Sequence, residues 1–196
     1  MTVVRTSLLL MLLLGVSGCA TNPFTLLPAG TVQVGDLKLD VAEAWNNFAP
    51  DAKAKPPQAM WTQDGPKLDR ILIYAGVANG ETLMKSSGKG AALPTFHVGM
   101  LPNELVAFTE AYLGKMFGEG QALVESSNLR PQQYGASSGI LFNVSIAPAE
   151  VAYYRGTIGA FIANERLYLM MYIAADPYYY EKHQARAEQI IASARL

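Results

Sequence analysis

The chain has 196 residues, 51% of them apolar, and its 15 lysines and arginines nearly balance 16 acidic residues for a formal net charge of −1. This balance excludes a basic nucleic-acid surface and a polybasic patch for anionic lipids. Two histidines and one cysteine give neither a disulfide nor a zinc-binding spacing. We therefore expect one domain, with no bound metal or cofactor.

The first 18 residues have the pattern of a secretory signal. Arg5 supplies the positive start, and residues 8–14 form an apolar run. The whole core, taken over residues 3–16, is about a dozen residues long, whereas a membrane-spanning helix takes roughly 20. We predict that residues 1–18 are a cleaved signal peptide.

Val16-Ser17-Gly18-Cys19 resembles the lipobox of bacterial lipoproteins, in which an aliphatic residue and two small residues precede an acylated cysteine. The resemblance implies cleavage between Gly18 and Cys19 and acyl chains on Cys19, enough to hold the protein stably at a bilayer. Ala20 stands where such lipoproteins carry an aspartate for inner-membrane retention. The resemblance therefore favours the outer membrane, with the domain facing the periplasm. The alternative is an ordinary secreted protein with a small residue near its cleavage site.

The mature chain begins with a segment that lacks clear periodicity. Residues 19–31 carry two prolines and a glycine and predict a tether, so that residues 32–196 form the single domain. Apolar residues alternate from residue 32 to 41 around Gly35-Asp36, which predicts two strands joined by a tight turn. The proline-rich residues 50–58 predict a surface loop.

The middle of the chain predicts a strand and a helix. The apolar run over residues 68–77 indicates a buried strand, and the glycine-rich residues 79–93 indicate a loop. Residues 103–117 have the helical period, with Pro102 in the first turn and Gly118 at the C-terminal cap.

The last third predicts strands at residues 140–146, 151–163 and 166–175, with Asn164-Glu165 as a hairpin turn. Residues 166–175 are apolar on both faces, which indicates a central strand covered on both sides.

A closing helix is predicted after these strands. Asp176 is predicted to cap it, with Pro177 at its first position. The predicted buried stripe of this helix comprises Tyr179, His183, Ala187, Ile190 and Ala194. A half-buried histidine in the core is the interpretation we favour for His183.

Residues 156–172 and 188–196 carry a further resemblance. A strand containing Arg166-Leu167-Tyr168 precedes a helix that ends in Ala192-Ser193-Ala194. This pattern resembles the PsbP-like family, an α/β/α sandwich shared by a photosystem II extrinsic protein and a yeast nuclear-transport factor. The resemblance implies an α+β fold, an antiparallel sheet with helices packed on its faces. It also implies a binding or assembly factor without enzymatic chemistry.

Tyrosines give the strongest sign of an interaction surface. Tyrosine is favoured at interfaces because its ring buries a large area and keeps a polar group. The candidate surface comprises Tyr153, Tyr154, Tyr178, Tyr179 and Tyr180. We therefore expect a lipid-anchored binding module that engages another envelope protein. The alternative for each ring is packing beneath a helix.

Two other functions stay open. One is a periplasmic hydrolase in which His97 acts as general base. Its possible nucleophiles and acids are Ser86, Ser87, Ser138, Asp69 and Asp176.

The other is a carrier of small apolar ligands. The aromatic-rich sheet suggests it, together with Met84, Met100 and Met116.

Overall fold

The computed structural model describes residues 24–48, 58–85, 92–118, 122–148 and 153–196. The signal peptide, Cys19, Ser86 and Ser87 lie outside these residues. Within them, the elements in chain order are β1 (Phe24–Leu27), β2 (Gly30–Val34), β3 (Leu37–Val41), β4 (Trp45–Phe48), β5 (Ala59–Thr62), β6 (Asp69–Ala78), α1 (Pro102–Gly118), β7 (Leu123–Tyr134), β8 (Ser137–Ala147), β9 (Tyr154–Ala163), β10 (Arg166–Ala175) and α2 (Tyr178–Ala192).

One antiparallel sheet dominates the described part of the chain. Its strand order is β1-β4-β5-β6-β10-β9-β8-β7, and β2 and β3 form a separate hairpin. β10 pairs with β6 on one side and with β9 on the other. Residues 167–174 of β10 are all buried, so the predicted central strand is confirmed.

Alternate residues of β10 enter two different cores because strand side chains point to opposite faces. Leu169 and Met171 join the core beneath α1 (the α1 face), and Met170 and Tyr172 join the core beneath α2 (the α2 face). α1 covers one face, and α2 with the β2–β3 hairpin covers the other. More of the described residues lie in strands than in the two helices. Helices nevertheless cover both faces of the sheet, as expected.

The predicted first helix is confirmed over residues 102–118. The Leu101 amide donates a 2.7 Å hydrogen bond to Glu104 Oε2, which satisfies one of the free amides at the helix start. Leu105, Phe108 and Tyr112 are buried on its predicted stripe. This apolar stripe covers the α1 face.

The predicted β2–β3 hairpin is also confirmed, with Gly35-Asp36 as its turn. Gly35 has a φ of +62°, which glycine adopts readily. Tyr168 donates a 2.6 Å hydrogen bond to Asp36 and thereby ties this turn to β10. Burial, with the bond to Asp36, raises the pKa of Tyr168 to about 12.

The predicted cap of the last helix is wrong. Pro177 occupies the N-cap position without a side-chain bond, and the helix begins at Tyr178. The Asp176 carboxylate instead accepts a 3.3 Å bond from Arg155 Nη1, which draws it away from the helix amides. The buried stripe holds at its later positions, but Tyr180 is buried in place of the half-buried Tyr179.

The remaining differences concern short or edge strands. Residues 24–27 of the predicted tether form β1, because they pair with β4 at the sheet edge, and Gly30 begins β2. Residues 45–48 and 59–62 form full strands. The sequence pattern does not predict β7, because most side chains of this strand are exposed and it therefore lacks apolar alternation.

Helix α2 approaches β9 closely at Gly159. A Cβ atom there would lie 2.4 Å from Ile191 Cγ2 and 2.5 Å from the Tyr134 hydroxyl. Contacts this short do not occur between real side chains, so the packing of α2 against β9 requires glycine at this position.

We therefore expect Gly159→Ala to lower the free energy of unfolding by about 1–3 kcal/mol, as overpacking does in other cores. Urea denaturation measures this change. Gly99→Ala is the matched control, since a Cβ at Gly99 would meet nothing within 4 Å. Equal stability of the two variants would contradict the close packing of α2 on β9.

A candidate binding surface at the tyrosine end of the sheet

The tyrosines gather where β9 begins and β10 ends, which we call the tyrosine end. Tyr154 pairs with Ala175, and the Asp176 amide donates a 2.9 Å hydrogen bond to the Tyr153 carbonyl. Tyr153 is 68% exposed and Tyr178 is 65% exposed. These two rings are therefore accessible to a partner.

Tyr180 does not belong to that surface. It is 1% exposed and stacks on Tyr172 with 5.7 Å between ring centroids. Its hydroxyl lies 2.9 Å from Thr157 Oγ1 and accepts a 3.2 Å bond from Asn143. Arg155 covers its ring at 4.3 Å. Tyr180 thus anchors α2 to the sheet, which is the alternative in which a tyrosine ring packs beneath a helix.

Tyr154 and Tyr179 are half-buried and flank the two exposed rings. Tyr154 packs on Phe117 of α1 with 4.9 Å between centroids. Tyr179 packs edge-on against Tyr178 at 5.0 Å. The predicted five-ring patch is therefore two exposed rings supported by two partly buried ones.

Arg70 lies at the same end, on the α1 face of β6, where it pairs with Ile173. Its guanidinium stands 5.0 Å from the centre of the Phe117 ring and donates a 2.8 Å bond to the Pro66 carbonyl. Burial lowers the pKa of Arg70 from its ordinary value. The sequence carries no signal for this residue, because an isolated arginine at a strand start belongs to no recognisable pattern.

A charged cluster fixes the start of α2 to the loop between β5 and β6. Lys182 Nζ lies 2.8 Å from each carboxylate oxygen of Asp64, and His183 Nε2 lies 2.7 Å from Asp64 Oδ2. The bond from Lys182, and then that with His183, lowers the pKa of Asp64 below its ordinary 3.8 despite burial. His183 is 4% exposed, so it is a core histidine.

The loop that presents Asp64 is itself held by a buried carboxylate. Asp69 accepts hydrogen bonds from the amides of Gln63 and Asp64 at 2.9 and 2.7 Å, and from the Thr62 hydroxyl at 3.0 Å. Asp69 is thereby fully engaged in ordering the loop.

Among the described candidates for a hydrolase, the structure separates His97 from both acids. His97 is exposed in the segment beyond the far end of β6, whereas Asp69 and Asp176 lie at the tyrosine end. The ten residues of β10 separate these ends by roughly 30 Å. Ser138 donates to Gln133, and among the described residues no side-chain bond reaches His97.

The methionines of the carrier alternative are also dispersed. Met100 lines a cavity of about 250 Å³ between the start of α1 and strands β8 and β9, together with Leu105 and Ile162. Met84 and Met116 pack elsewhere against the α1-face core.

Among the described residues, no cluster of three histidine, cysteine or acidic side chains could hold a metal ion. In the same part of the chain, no helix has the length and apolar character needed to cross a membrane.

The chain matches no protein-family model and no curated protein. Its structure is similar to the solution structure of cyanobacterial PsbP (CyanoP) from Synechocystis sp. PCC 6803, with a TM-score of 0.57. The two chains are 9% identical, and the similarity covers 92% of this chain and 97% of that one. The fold is PsbP-like. The structural similarity confirms the expected PsbP-like fold. The lipobox stays a prediction. Fold alone assigns no activity.

The Asp64 cluster gives the PsbP-like domain a pH-dependent contribution to stability. Because its folded pKa is depressed, this contribution is complete above about pH 4 and is lost as the pH falls through the folded value. We expect Asp64→Asn to lower the free energy of unfolding by about 1–2 kcal/mol near pH 7, with the difference shrinking below pH 4. Chemical denaturation at several pH values measures it.

Glu181→Gln is the control for that experiment, since Glu181 is a 67% exposed carboxylate on the same helix. We expect it to change the stability by less than about 0.5 kcal/mol. A deficit in Asp64→Asn that stayed constant from pH 7 to pH 3 would show that the carboxylate charge is not what holds α2.

Proposed function

We propose that this protein is an envelope lipoprotein, anchored through acyl chains on Cys19 and facing the periplasm, that acts as a non-enzymatic binding or assembly module. The observation that carries the binding role is the exposure of Tyr153 and Tyr178 at the same end of a sheet whose two faces are covered by helices. The lipobox sequence supports the anchor.

Exposed aromatic rings on a rigid support suit protein recognition. Tyrosine and arginine are enriched among the residues that contribute most to binding energy, and ordered rings lose little entropy on association. Tyr153 and Tyr178 both adjoin elements fixed to the sheet, and Leu123, 60% exposed at the start of β7, adds apolar area at the same end. A partner contacting this end would bury aromatic area against a preformed surface.

The anchor would hold the domain close to the membrane. Phe24 begins β1, so five Cα-to-Cα steps separate the lipidated Cys19 from the sheet edge. Such a segment spans at most roughly 18 Å. We therefore propose that the β1 edge faces the bilayer and that the covered faces of the sheet stand away from it.

We expect Cys19→Ala to move the protein from the membrane fraction to the soluble or unprocessed fraction. Intact mass spectrometry of the wild-type protein should give a chain that begins at Cys19 and carries the mass of the added acyl groups. The matched control is Ser17→Ala, which keeps a small residue in the lipobox and should leave the mass unchanged. Unmodified wild-type protein in the membrane fraction would rule out this anchor.

We expect the double change of Tyr153 and Tyr178 to alanine to reduce capture of a specific envelope partner by about tenfold after in-cell crosslinking. Quantitative mass spectrometry of the crosslinked envelope fraction measures it.

Leu101→Ala is the control, because Leu101 is 60% exposed before α1, beyond the other end of the sheet. If the double variant and Leu101→Ala recovered the same partners in equal amounts, the tyrosine end would not be the binding surface.

A further inference from the structure

Arg70 differs from the other arginines that the structure describes. Each of four arginines lies within 4 Å of a carboxylate, and these are Arg130, Arg155, Arg186 and Arg195. Arg166 is exposed and donates to the Gly76 carbonyl. Arg70 is half-buried, and no carboxylate of the described residues lies within 4 Å of it.

The surroundings of Arg70 only partly compensate its charge. Of the five N–H donors of a guanidinium, one bonds to the Pro66 carbonyl. Phe117 offers the face of its ring, and α1 ends one residue later, where its carbonyls carry a partial negative charge. Tyr74 and Tyr112 are bonded to each other behind it and contribute neutral hydroxyls. Removing a charge from water without a neutralising acid costs free energy, and no described residue supplies such an acid to Arg70. We therefore expect the guanidinium of Arg70 to favour binding of an anion.

The Arg70 site adjoins the proposed binding surface. Tyr154 stacks on the same Phe117 ring and donates a 3.4 Å hydrogen bond to the Lys67 carbonyl, and the exposed Tyr153 precedes it in the chain. An anion seated on Arg70 would therefore lie between aromatic rings, next to the tyrosines.

The chemistry favours a carboxylate. The planar guanidinium fork matches the two oxygens of a carboxylate, and one cation balances one carboxylate charge. Aromatic walls exclude water and strengthen such a pair.

We propose that Arg70 is the receptor for a carboxylate of the partner protein, an acidic side chain or a chain terminus, placed beside the tyrosines. This rests on the proposed function and names the chemistry of the partner. Arg70 would supply the specificity, while Tyr153 and Tyr178 supply buried area.

The first test uses the full chain, purified from its host in neutral detergent and labelled with ¹⁵N-arginine. N-acetylphenylalanine, a carboxylate beside an aromatic ring, is titrated while the Arg70 Nε–Hε resonance is followed by NMR. We expect a saturable shift at millimolar concentrations, and about tenfold weaker binding of the neutral N-acetylphenylalanine amide. Arg70→Lys assigns the resonance and should weaken binding, because an ammonium lacks the fork.

The matched control is Lys67→Gln, which removes an exposed cation at the same end and should leave the affinity unchanged. Equal shifts with acid and amide, or no saturable shift, would overturn the proposal. A saturable shift that appears only in the variant Glu119→Gln or Glu150→Gln would mean that an acid of the chain itself neutralises Arg70. That result would also overturn the proposal. A response to inorganic phosphate or anionic lipid vesicles without one to the carboxylate would assign the site to a headgroup instead.

Crosslinking separates this proposal from the general function. Partner capture that depends on Tyr153 and Tyr178 but not on Arg70 would overturn the carboxylate receptor and leave the binding module in place. Loss of capture in Arg70→Lys, with its melting temperature unchanged, would support both.

Discussion

The structure depends on the burial of β10 on both faces. Its side chains from residue 167 to 174 are all buried, so each face needs its own cover. α1 provides one cover, and α2 with the β2–β3 hairpin provides the other. Hydrophobic burial of a strand on both sides is the largest favourable contribution that such a sheet can make. The positions of the helices follow from this requirement.

Covering both faces leaves the ends and edges of the sheet for recognition. The tyrosine end combines exposed rings with an arginine that has no acid among the described residues, whereas the opposite end carries His97 and the apolar cavity near Met100. The length of the strands keeps these two sets of groups roughly 30 Å apart. Polar residues that look alike in the sequence therefore form different contacts, because the sheet places some of them together and others at opposite ends.

The charged residues of the tyrosine end divide into two kinds. Asp64, with Lys182 and His183, is used inside the protein to hold α2 on the sheet. Arg155 is likewise occupied by Asp176 and by the ring of Tyr180. Arg70 keeps donors that the described residues do not fill, at a position where water is partly excluded. The proposed receptor is distinguished by this contrast: Asp64 and Arg155 have partners of opposite charge, whereas Arg70 has none among the described residues.

The sequence by itself determined the elements whose signals are local. The apolar period of α1, the turn residues Gly35-Asp36 and Asn164-Glu165, and the two apolar faces of β10 each predicted their structure. Tertiary structure alone decided the rest. β7 is an edge strand with polar side chains, so pairing rather than pattern makes it a strand. Tyr180 is buried because the turn of α2 directs it inward, and Arg70 meets no acid among the described residues because of what packs around it. No local pattern encodes either outcome.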